Sequence, residues 1–108
     1  MPLSKKDKQL ALKLKEILKN KFGDLIWGIY CYGSRITRNK QDSDFDLLVL
    51  TNKIIPWETE YQISSTVVNF GIEKDIVFDV QIIDIDKFTL SKKYHPFFQN
   101  VAEHGISL

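Results

Sequence analysis

The segment from Gly33 to Leu50, GSRITRNKQDSDFDLLVL, constrains the chain more than any other. A Gly-Ser turn closes one apolar run, and an Asp-x-Asp pair opens the next. Along an extended strand successive side chains alternate between faces, so Asp44 and Asp46 are expected on one face and Phe45 and Leu47 on the other. Two carboxylates ~4 Å apart at an effective dielectric near 20 repel by about 4 kcal/mol, which calls for a cation between them. Hard divalent ions suit an all-oxygen donor set best.

The preceding residues supply a complementary feature. Leu25 to Tyr32 is a mostly apolar run of strand length, and Gly33 allows a tight turn with its amide hydrogens exposed. Such amides form an anion nest, to which Ser34 adds a hydroxyl and Arg35, Arg38 and Lys40 add positive charge. A third acid, Asp79, lies in the middle of the β-branched run IVFDVQII from Ile76 to Ile83. An acid within such a run is costly to bury unless it is paired or bound to a metal. Taken singly, a Gly-Ser turn or an Asp-Ser-Asp cap is common; in this order, at strand ends, they point to phosphate and metal handling.

Gly33-Ser34, Asp44-x-Asp46 and Asp79 resemble the signature of the DNA polymerase β-like nucleotidyltransferase superfamily, specifically its minimal nucleotidyltransferase (MNT) members. The ending HPFFQNVAEHGISL is similar to the closing helix and tail of those minimal domains. The resemblance implies an α/β (α+β) fold, a small mixed β-sheet with helices packed on one face, occupying residues 1–108 as one domain. It further implies two Mg2+ ions and ATP as substrate. Asp44 and Asp46 would hold both ions, Asp79 the ion that activates the acceptor oxygen, and Gly33, Ser34 and Arg35 the phosphates. One departure stands out: where family members often carry a glycine a few residues after Gly-Ser, this chain reads Ile36-Thr37-Arg38-Asn39-Lys40, with Asn39 as the residue able to adopt left-handed angles.

Members of this length resemble the antitoxin half of toxin–antitoxin pairs whose partner is a helical HEPN toxin. The expected reaction is transfer of AMP to a tyrosine hydroxyl of that toxin, with the acceptor expected to be gripped by that second chain and not by a further domain of this one. Two alternatives belong to other classes: a module that neutralises a toxin by masking it, and a transferase acting on RNA or a small molecule with a separate helical subunit.

Composition limits the alternatives. Fifteen basic and fourteen acidic residues leave a net charge of +1, against nucleic acid as the main partner. The single cysteine, Cys31, cannot form an internal disulfide and is expected as a buried core thiol. No run reaches membrane-spanning length, and a cytoplasmic location is expected. His95 and His104 match no zinc pattern.

The rest of the chain reads as helices and strands around these motifs. Ser4 caps a first helix with Asp7 three residues on, Leu10, Leu14, Ile17 and Leu18 share its apolar face, and Gly23 ends it. A second helix starts at Pro56 and runs to about Phe70, with Gly71 as its stop and Trp57, Tyr61 and Val68 on a core or interface face. Asp84 to Lys92 reads as a loop with a helical turn, and a last helix starts near Pro96 with Gly105 after it.

Overall fold

The computed structural model describes residues 3–33, 36 and 44–108. In chain order these form α1 (Lys5–Phe22), a 3-10 turn (Gly23–Leu25), β1 (Ile26–Tyr32), β2 (Phe45–Thr51), α2 (Trp57–Lys74), β3 (Phe78–Asp84), α3 (Ile85–Ser91), α4 (Pro96–His104) and β4 (Ile106–Ser107). The strands make one mixed sheet in the order β3-β2-β1-β4. β1 runs antiparallel to both β2 and β4, whereas β2 and β3 are parallel. The parallel pair requires a crossover, and α2 provides it.

The alternation expected of strands sorts the sheet into two faces. On one face Ile29, Cys31, Phe45, Leu47 and Val49 meet Ala11, Leu14 and Leu18 of α1 and Ile63, Val67 and Phe70 of α2, which is the main core. On the other, Leu48 and Leu50 pack with Phe88 of α3 and Val101 of α4. β2 is therefore buried on both faces, which explains why FDLLVLT is a continuous apolar run after its acid. The long helices lie on one face as expected, and the short α3 and α4 add a smaller core on the opposite face. Cys31 is fully buried, and burial followed by the nearby Asp7 carboxylate pushes its thiol up to about 12, so it is not reactive.

Helix ends follow local chemistry in most places. The Ser4 hydroxyl accepts from the Asp7 N–H at 3.1 Å, and Gly23 closes α1 at φ +59°. Pro96 opens α4. The stretch after β3 holds more helix than its sequence suggests: the Asp84 carboxylate accepts from the Lys87 N–H at 2.9 Å and caps the two-turn α3.

The second helix departs from expectation. α2 passes through Gly71 and ends at Lys74, with Asp75 taking the left-handed cap conformation. Gly71 serves packing instead of termination, because a Cβ there would collide with the Ile76 carbonyl oxygen and come within 2.9 Å of the Phe78 ring. Helix propensity alone predicts that Gly71→Ala stabilises by ~1 kcal/mol. The packing predicts the reverse, a loss of about 1–3 kcal/mol in urea unfolding, because the Ile76 backbone, whose N–H donates to the Gly71 carbonyl at 2.8 Å, cannot retreat.

Candidate active site

β1, β2 and β3 bring three polar side chains into one row. Asp46, the second residue of β2, pairs in register with Tyr32, the last of β1, and with Asp79, the second of β3. Paired residues on adjacent strands project to the same face about 4.8 Å apart. The row Tyr32-Asp46-Asp79 thus crosses the sheet on the face that also carries Leu48 and Leu50, at the end where the chain leaves β1 and enters β2.

Two contacts on the opposite side set this alignment. The Phe45 N–H donates to the Val77 carbonyl at 2.9 Å, and the Phe45 and Phe78 rings stack at 5.1 Å between centroids. Both precede the acids by one residue. Asp44 lies just before β2 and is exposed.

Gly33, at the end of β1, has φ +88°, and a Cβ there would collide with the Asp46 carboxylate. Only glycine lets the backbone pass so close to the acid while adopting that angle. Ser34, Arg35, Arg38, Asn39 and Lys40 lie outside the described residues.

The electrostatics of the row reflect crowding of like charge. Burial first, then Asp79, then Asp44, raise the pKa of Asp46. The Tyr32 phenol is pushed up to about 12 by burial and then by Asp46 and Asp79, so it stays protonated and able to donate a hydrogen bond. Its ring is fixed edge-on against Phe97 of α4 at 5.3 Å. Tyr32 is the residue that sequence reasoning missed; its signal was its place at the end of the strand leading into Gly33.

Asp79 corrects one step of that reasoning. It is exposed, not buried, because β3 is an edge strand. Its place therefore owes nothing to a burial cost relieved by metal. Lys74, a cation close to it in sequence, sits 3.8 Å from Glu73.

Among the described residues no three His, Cys, Asp or Glu side chains already converge as a metal-binding group. The donor chemistry nonetheless suits a hard divalent ion: carboxylate oxygens only, on one face, with a repulsion at Asp46 that a cation would relieve.

A raised carboxyl pKa has a definite consequence for stability. Below the unfolded value near ~3.9 the acid is protonated in both states and costs nothing; as pH rises through the folded value, the ionised form weakens the fold. Asp46→Asn, in metal-free buffer, is expected to raise the melting temperature by a few degrees at neutral pH, and that gain should vanish below about pH 4. Thermal melts across a pH series check both the sign and the window.

Comparison with known proteins agrees with this arrangement. The sequence model of the family described as "Polymerase beta, Nucleotidyltransferase" matches residues 12–108. Among solved structures, the chain resembles a crystal structure of a mutant of the toxin-antitoxin MntA-HpeT, at 20% identity and a TM-score of 0.57, over 91% of this chain and 70% of that one. A search of curated proteins finds no match. The match to the family spans the second half of α1, all of α2 and every strand, including Gly33, Asp44, Asp46 and Asp79, and the chain belongs to the polymerase β nucleotidyltransferase family.

Proposed function

We propose that this domain transfers AMP from ATP to a hydroxyl acceptor on a partner protein, most simply a tyrosine of a HEPN-type toxin, and acts as its antitoxin. The observation that carries the reading is the in-register pairing of Asp46 with Asp79 beside Gly33. A transferase of this kind must hold a triphosphate and an acceptor at one point, and these residues bring acid pair and phosphate turn to one end of the sheet. Likeness to a toxin-antitoxin structure supports the choice of a protein acceptor.

Asp44 and Asp46 would hold two Mg2+ ions with Asp79 completing the set. When bound, the ions neutralise phosphate charge and increase the acidity of the acceptor hydroxyl. The chain's own residues do the rest. Gly33, which lets the backbone pass close to Asp46, would bring that backbone up to the phosphate oxygens, with Ser34 and Arg35 as the adjoining donors. Asp79, exposed at the sheet edge, is open to an acceptor arriving from outside and is placed to accept its proton. Tyr32, held protonated, can donate a hydrogen bond into the row without adding charge.

Two measurements test this. Mg2+ at about 100 times its dissociation constant is expected to stabilise the protein by about 2.7 kcal/mol, and Asp46→Asn/Asp79→Asn should abolish that gain. With ATP labelled at the α-phosphate in host lysate, a labelled protein band should appear and be absent with Asp44→Asn/Asp46→Asn. Labelled RNA or a small product would move the acceptor to that class; no label, with a stable partner still co-purifying, would mean neutralisation by binding alone.

A further inference from the structure

α2 carries a second, unexpected surface. Its buried side is made by Ile63, Val67 and Phe70, yet Trp57, Tyr61, Val68 and Ile72 are 73%, 67%, 44% and 73% exposed. At 3.6 residues per turn these four fall within about 60° of one another, a continuous stripe along the solvent side of the helix. Each is too apolar to favour water. With the equally exposed Ile54 and Val77 beyond the two ends, the apolar residues offer roughly 800 Å2, the size of one side of a standard protein interface. A few hundred Å2 is usual for a patch on a monomer.

Among the described residues, neighbouring elements leave the stripe largely uncovered. α1 runs along the polar flank of α2, where Lys21 Nζ donates to the Thr66 hydroxyl at 3.1 Å. The row of Asp46 and Asp79 lies on the other face of the sheet from α2, so a partner offering an acceptor to those acids does not need this surface.

The stripe is self-complementary. Trp57 and Ile72 are equidistant from the bond between Ser64 and Ser65, as are Tyr61 and Val68. An antiparallel two-fold pairing therefore sets each aromatic ring against an aliphatic side chain of the other copy, with small serines at the crossing where the helices approach most closely. The charges agree. Glu58 and Glu60 occupy the first turn and Lys74 the last, so the antiparallel arrangement brings opposite charges and opposite dipole ends together, whereas a parallel one would oppose like with like.

We propose that the outer face of α2 is a homodimer interface, in which two copies of this chain pair antiparallel about Ser64 and Ser65 and leave both acidic rows facing outward. The dimer forms independently of nucleotide.

Sedimentation velocity of the purified chain over a dilution series, without nucleotide, should show a concentration-dependent dimer. Ile72→Glu and, separately, Val68→Lys should weaken association at least ~10-fold, each equivalent to about 1.4 kcal/mol, while circular dichroism and the melting temperature confirm an intact fold. Under mild oxidation Ser64→Cys or Ser65→Cys should form a disulfide with its own copy; Cys31 is buried and does not compete. A monomer at every concentration, a dimer indifferent to both charge variants, or self-linking through Trp57→Cys in place of the serine positions would each overturn the proposal.

Discussion

The parallel register between β2 and β3 is the constraint on which the site depends. Because side chains alternate along a strand, a slip of one residue would turn Asp79 to the main core and Phe78 to the acidic row. The stack of Phe45 on Phe78, with Phe70 also against Phe78 at 6.0 Å, makes that slip expensive, since it would expose aromatic surface and bury a charge together. The hydrogen bond from Phe45 to Val77 pins the same step. Apolar packing on one face of the sheet thus positions two like charges on the other. Gly71 extends the chain of dependence, because its lack of a side chain lets α2 descend onto Ile76 and Phe78.

Such an arrangement holds acids where they do not favour being. The raised pKa of Asp46 and the high pKa of Tyr32 have the same origin: partial burial plus neighbouring carboxylates. Stability is forgone locally, and the cores on the two faces compensate. A positively charged ligand would convert that repulsion into attraction, which is the usual logic of a site whose ground state is strained without its ligand. Tyr32 belongs to this logic as a neutral donor, held in place from the other side by Phe97.

How much of this was legible in the sequence depended on whether the deciding contact was local. Ser4, Gly23 and Pro96 act on backbone groups within a turn of themselves, and their roles could be read directly. The apolar runs Leu25–Tyr32 and after Asp46 could be read as strands from their length and from the turn residues that bound them. Gly71 was misread as a helix stop, because the reason for glycine there is the path of the chain after the helix, which folds the Ile76 carbonyl and the Phe78 ring back against it. Asp79 was singled out from the right run for a reason that does not hold: no local signal marks β3 as an edge strand, so its exposure was not foreseeable. The partnership of Tyr32 with Asp46 likewise requires knowing the register of β1 against β2, which no single segment encodes. The basic residues after Gly33 that were read as phosphate ligands fall outside the described residues, and their part rests on sequence alone.

The two long helices show how the same rule can carry opposite meanings. In α1 the apolar positions Ala11, Leu14 and Leu18 face the sheet and mostly polar residues take the remainder, with Leu12 alone as an exposed large apolar residue among those described in the helix. In α2 the core stripe is Ile63, Val67 and Phe70, and a second set of large apolar residues remains. Folding of this chain alone leaves those residues largely exposed, and of the two roles the sequence offered Trp57, Tyr61 and Val68, core or interface, the core is taken by other residues. A helix with two apolar stripes separated by polar flanks has two partners to satisfy: here the sheet is one, and a surface outside the monomer is the other.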